Sequence, residues 1–255
     1  MRALKNAIAG WHYKFIVPEM LIGNLLTIVV SCFVGVVGVL SYIKWRGIHS
    51  RFKNSITHSF ALFWLIMSFV WFFTALSNWW RYRGYIEAAA TVVYPLQISL
   101  GVALVCAAYF VNATAMGGRY KKRFLTLYGV LLCAFLYTLF TAPLGIPQEA
   151  FFAGHIVSPL PTRIIFTLMF LPLWVLGIVC LYRSFLQNIP AEKQMRQFIL
   201  LANSSLIILG GAGFFDELGV VNDWAVTLAR IIVLIGALSG YGAILALEDP
   251  EELVV

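Results

Sequence analysis

Three carboxylates and one guanidinium crowd the segment 216–230: Asp216, Glu217 and Asp223, followed by Arg230 among apolar neighbours. Arginine presents a planar fork of donors that matches a carboxylate. In a helix beginning at Asp223, Arg230 lies on the same face two turns on, about 10 Å deeper at 1.5 Å per residue. Asn222 suits the N-cap, and Asp223 in the first turn suits the helix dipole. Two chemistries fit. Arg230 clamps this helix to the preceding one through Asp216 or Glu217, or it faces an outward pocket where a ligand carboxylate competes for it. Adjacent acids point about 100° apart on a helix, so at most one of the two is expected to face inward. Asp216 is the expected partner.

Few other polar residues interrupt the apolar runs: Asn24, His58, Gln97, Asn203, Ser204 and Ser205. An intramembrane polar group is a default pointer to function. The candidate ligand-binding set is therefore Arg230, Asp216, Glu217, Asp223, Gln97 and Asn203. The segment 145–163, "GIPQEAFFAGHIVSPLPTR", is the longest connection. Loops of such length are often lids. Phe151, Phe152 and His155 would form its contact face, the alternative being a surface-lying linker.

Several reaction classes lack their residues. Haem in a bundle needs axial ligands, commonly histidine, and no two histidines face each other within the runs. Zinc hydrolysis needs three ligands and a water position, and there is neither an HExxH nor an inward His/Asp cluster. A serine nucleophile needs an adjacent base. A retinal Schiff base would need a lysine in 223–247, and none is there. The Pro147–Gln148 pair of sugar carriers is not repeated. No enzyme, metal or cofactor is expected. Cys32, Cys106, Cys133 and Cys180 lie in apolar runs without metal spacing and read as small buried hydrophobes.

The elements that must position these groups follow from composition. The chain has 255 residues, 61% hydrophobic and 11% charged, against about 25% charged in soluble domains. It reads as an all-α polytopic membrane protein. About 20 apolar residues cross the hydrocarbon. Seven stretches qualify, near 18–43, 56–79, 87–112, 125–144, 164–186, 198–219 and 223–247. The first is too long for a cleaved leader. Residues 1–17 form an outer segment, 18–247 the seven-helix domain and 248–255 an acidic cytoplasmic tail.

Eleven of the eighteen Lys and Arg residues fall in three connections: 44–55, 113–124 and 183–196. Six fall on the other side, and Arg230 lies within a span. The positive-inside rule then places the N-terminus outside and the C-terminus in the cytoplasm. The net charge of +7 serves orientation, and no aromatic-basic stripe for nucleic acid is present. Trp11, Tyr13, Tyr42, Trp45, Trp79, Trp80, Tyr82 and Tyr85 flank spans as interfacial anchors. Pro95 and Pro172 interrupt the third and fifth spans. Gly210, Gly211, Gly213, and the Gly236/Gly240 pair with Gly242, read as close helix contacts.

Seven spans, basic inner loops and a last span reading "WAVTLARIIVLIGALSGYGAI" resemble the seven-helix sensor region found in front of bacterial histidine kinases and related signalling enzymes. The resemblance covers residues 18–247 and is architectural. It implies a receptor whose output module is cytoplasmic. The chain ends in "LEDPEELVV", so the expectation is a receptor-like or accessory protein of the bacterial inner membrane. It would sense a membrane lipid or small amphipathic ligand from outside and signal through a separate protein partner. The alternatives are a structural subunit of a larger membrane complex, or a small transporter or channel. A transporter or channel needs a continuous polar path, for which Asn24, Gln97 and Asn203 are sparse.

Overall fold

The computed structural model describes residues 18–141, 160–187, 190, 192–217 and 223–248; for 18–24, 86, 213–217 and 223–227 it describes the helical backbone alone. The chain is all-helical, with no strand among the described residues. The helices are α1 (Pro18–Gly47), α2 (Ser55–Tyr82), α3 (Ile86–Met116), α4 (Lys121–Thr141), α5 (Leu160–Leu186), α6 (Lys193–Glu217) and α7 (Asp223–Leu245). All seven are long and apolar enough to cross a membrane. Several run past the apolar stretches because a helix continues through the headgroup region once started: α1 carries Lys44 and Arg46 in its last turn.

The turns have local causes. Asn54 caps α2 by accepting from the backbone N–H groups of Ile56 and Thr57, and the Thr57 hydroxyl returns to the Asn54 N–H, a reciprocal capping box. Gly117 ends α3 at φ +60°, a left-handed conformation that costs glycine nothing. The bundle thus has a basic end, made by residues 48–54, 117–120 and the connection after Leu186, and a far end, where α2 passes to α3.

Consecutive helices pack as antiparallel neighbours from α1 to α4, α4 also packs on α5, α5 on α6 and α6 on α7. α7 closes back onto α1, and α3 also touches α5. α4 contacts only α3 and α5 extensively and turns Leu127, Val130, Tyr137 and Phe140 outward. α1 and α5 likewise expose Val29, Val36, Ile43, Leu168, Val175 and Tyr182. These faces suit hydrocarbon. Cys32 and Cys133 lie on them, exposed, contrary to the expectation of burial. Core and lipid are equally apolar, so hydropathy does not separate them. Cys180 is buried and Cys106 partly so.

Close contacts are present at three of the glycines expected to make them, Gly210, Gly236 and Gly240, while Gly242 makes only an ordinary contact at 3.8 Å with Leu201. A Cβ on Gly240 would collide with the Trp64 indole of α2, and one on Gly236 would meet Leu209 and Ile208 of α6 at 3.1–3.2 Å. The two glycines of the α7 pair therefore serve different partners. Gly210 receives the ring of Phe170. Gly211 faces open space, and Gly213 lies outside the residues whose side chains are described.

Toward the basic end the core is sealed by rings. Phe60, Phe110 and Phe198 are fully buried, with centroids 5.1 Å (Phe60–Phe110), 5.5 Å (Phe60–Phe198) and 6.0 Å (Phe110–Phe198) apart. They join α2, α3 and α6 and leave a gap above them.

Candidate functional site

That gap is a cavity of about 210 Å³ enclosed by α2, α3, α5, α6 and α7. It exceeds the roughly 150 Å³ apolar cavity known to accept benzene, so it can hold an organic molecule. Two prolines stand in its walls. Pro95 of α3 directly precedes the lining residues Leu96 and Gln97, and Pro172 of α5 stands between the lining residues Phe170 and Leu173. An internal proline donates no backbone bond and pushes against the carbonyl four residues earlier. Both helices are thereby loosened where the cavity lies.

Its lining is graded. The deep part is apolar: Phe63, Met67, Leu104 and Ala107. The polar groups lie nearer the far end, namely Thr74, Ser77 and Asn78 of α2, Gln97 of α3 and Arg230 of α7. Counted from the far end of each helix at 1.5 Å per residue, they occupy a layer about 6–16 Å down, while Phe63 and Ala107 lie about 30 Å down. One cavity therefore has a polar head region and an apolar floor.

Within the head region, some groups are engaged. Thr74 donates to the Val70 carbonyl at 2.8 Å, Asn78 Nδ2 to the Thr74 carbonyl at 2.8 Å, and Ser77 to the Ala89 carbonyl at 3.2 Å. Others are not. Asn78 Oδ1 and the Trp71 Nε1–H are buried with no hydrogen-bond partner. Gln97 is only 6% exposed and lines the cavity, and its carboxamide meets no partner among the described residues. Buried polar groups are normally satisfied; Trp64 Nε1, Asn203 Oδ1 and Ser205 Oγ are likewise without a partner away from the cavity, and those at the cavity are donors and acceptors open to an occupant. Trp174, by contrast, donates to the Ile207 carbonyl at 3.1 Å and serves as a wall.

The structure brings Gln97 and Arg230 to one cavity, and Arg230, 7% exposed, is buried in the bundle. It does not bring Asn203 there. Asn203 is fully buried one turn below the lining residue Leu206, and its Nδ2 donates back to the Ile199 carbonyl at 2.8 Å. Asp216, Glu217 and Asp223 are helical, but their side chains lie outside the described residues, as does that of Asn24. The lid residues Phe151, Phe152 and His155 also lie outside them. His58 is exposed near the start of α2, stacked on Trp45 at 4.6 Å. Among the described residues no cluster of His, Cys, Asp or Glu could hold a metal.

Sequence reasoning passed over Thr74, Ser77, Asn78 and Trp71. Their spacing carried a signal, since residues 71, 74, 77, 78 and 81 follow the three-and-four repeat of one helix face. Arg81, one of the six basic residues that the sequence places on the outer side, belongs to α2. Its Nε and Nη2 are buried without a hydrogen-bond partner. It stands one turn beyond Ser77 and Asn78, on their face and toward the far end.

Comparison with family models, with curated proteins and with solved structures finds no match.

Proposed function

We propose that this chain is a receptor-like multi-pass protein of the bacterial plasma membrane that binds a small amphipathic ligand and signals through a separate protein partner. The observation that carries this reading is the graded cavity: a polar head region near the far end over an apolar floor. The far end is the outer one by the basic-loop rule. The ligand arrives from that side, and the partner reads the cytoplasmic loops.

The bundle offers a route between the two ends. α7 bears Arg230 at the cavity. Just past its other end, Glu248 pairs with Lys44 of α1 at 2.6 Å, and its carbonyl accepts from Gln194 of α6 at 3.1 Å. Gln194 in turn accepts from Arg51 at 3.1 Å. A ligand that shifts α7 at the head region would shift this network. The Phe60–Phe110–Phe198 seal stands between the cavity floor and the basic end, which favours a receptor over a channel or transporter.

The test uses the full chain in lipid nanodiscs, exposed to a total membrane lipid extract, washed and analysed by mass spectrometry. Wild type should retain a small amphiphile that Ala107→Phe does not, because Ala107 is a 3% exposed wall of the cavity. Identical retained species in both proteins would overturn the reading and leave the structural-subunit alternative.

A further inference from the structure

We infer that the ligand is a single-chain amphiphile with an anionic head, a free medium-chain carboxylic acid, seated with its carboxylate toward Arg81, Arg230 and Gln97 and its chain toward Phe63, Met67 and Ala107. This rests on the cavity reading above and adds the ligand's charge, chain number and direction.

Charge is the first argument. Arg230 lines the head region, and Arg81 stands one turn beyond the lining residues Ser77 and Asn78 on the same face of α2. Arg81 is the telling one, since two of its guanidinium nitrogens are enclosed without a hydrogen-bond partner. An enclosed cation without an anion is costly, and pairing with a hydrogen-bonded carboxylate relieves the cost. A guanidinium has five N–H donors, so Arg230 can hold a ligand oxygen whatever else it contacts. Gln97 adds an amide donor from α3. An ammonium head would meet the enclosed Arg81 cation as a like charge. A neutral alcohol would leave the enclosed Arg81 nitrogens uncompensated.

Shape is the second argument. A cavity of about 210 Å³ has room for one acyl chain and not for the two of a phospholipid. From Gln97 to Ala107 the wall of α3 descends ten residues, about 15 Å, which is the reach of a medium-length chain. The walls along that descent are Leu100, Leu104 and Leu173, and each buried methylene adds to binding.

The same head and chain could reach the site as a free acid or as part of a single-chain lysophospholipid, so both are measured. The full chain in nanodiscs is titrated with decanoic acid brominated at its chain end. Bromine quenches tryptophan fluorescence, and Trp71 and Trp174 line the cavity. Matched bromodecanol, bromodecylamine and a bromodecanoyl lysophospholipid are titrated in parallel, with unbrominated decanoate as competitor. Saturable, competed quenching is expected for the acid, with the other three binding at least about tenfold more weakly. Arg81→Gln should weaken the acid about tenfold and leave the alcohol unchanged, and Ala107→Phe should abolish competed quenching. Equal binding of acid, alcohol and amine would overturn the anionic head while leaving the cavity reading intact. Tighter binding of the lysophospholipid would overturn the free acid. Absence of competed quenching by every probe would overturn this inference and the cavity reading together.

Discussion

The indole of Trp64 on α2 fills the space that a Cβ at Gly240 on α7 would occupy. Trp64 is fully buried, so the ring has nowhere to retreat. A Cβ on Gly38 of α1 would meet the Trp64 backbone carbonyl and the Ser68 hydroxyl. One tryptophan thus sits where α1, α2 and α7 come together, which small residues permit. Gly240→Ala should destabilise the protein by about 1–3 kcal/mol through overpacking. Gly211→Ala is the control, since nothing lies within 4 Å of its added carbon. It should be neutral or stabilise by up to about 1 kcal/mol through helix propensity. Thermal unfolding in detergent would compare them, and equal midpoints would contradict the packing account.

Gln97 separates a binding role from a structural one. Its buried carboxamide has no partner among the described residues, so replacing it with an apolar side chain of similar size removes a desolvated polar group and no bond. Gln97→Leu should leave stability unchanged or raise it by about 1 kcal/mol, and should weaken retention of the ligand. A loss of stability beyond about 1 kcal/mol would show that Gln97 holds the bundle together.

The Tyr128 hydroxyl of α4 donates to the Met169 carbonyl of α5 at 2.6 Å, and Tyr128 is 1% exposed. α4 has few other neighbours. Interhelical hydrogen bonds within membranes average about 0.6 kcal/mol, so Tyr128→Phe should cost about that much. The change should appear as faster hydrogen exchange in α4 than in α2. Unchanged exchange throughout α4 would mean that its apolar contacts alone hold it.

The architecture was legible because hydrocarbon demands long apolar helices, and seven runs satisfy that demand however the helices pack. Helix ends were less so: α2 starts at Ser55 because Asn54 caps it, whereas hydropathy begins to count only with Ile56. Gln97 and Arg230 stood out as polar interruptions and do line one cavity. Asn203 stood out equally but does not line the cavity, and facing is not visible in composition. Ser77, Asn78 and Arg81 were hidden beside "WWRYR", whose rings read as an interfacial belt and drew the polar residues into the same account.

The distribution of basic residues predicts which end of the bundle faces the cytoplasm. The described connections 48–54 and 117–120 carry Arg51, Lys53 and Arg119, flanked by Lys44, Arg46, Lys121, Lys122 and Arg123 at the helix ends. Single cysteines in these connections, in a background lacking the native four, should resist an impermeant thiol reagent in intact cells. Ready labelling there would invert the topology and place the cavity's polar end on the cytoplasmic side.

Arg230 is 7% exposed and shares its cavity with Gln97, so its guanidinium is held within the bundle and away from lipid. An arginine turned to lipid near a helix centre costs about 2.5–3.5 kcal/mol on insertion scales, whereas an inward one can use its fork on a carboxylate. Asp216, near the end of the neighbouring α6, is the partner expected from the sequence. Losing one member of a buried ion pair strands the other charge, at about 3–5 kcal/mol. Arg230→Met alone should therefore destabilise strongly, and adding Asp216→Asn should recover much of that loss. Additive costs in a double-mutant cycle would show that the two do not interact. The cycle also divides clamp from ligand site. A pure clamp, once replaced by two neutral residues, should leave ligand retention near wild type. If Arg230 also receives the ligand's anionic head, the double variant should be stable in nanodiscs and retain little of it. Gln97→Leu, measured beside it, would show whether the remaining retention depends on the head region at all.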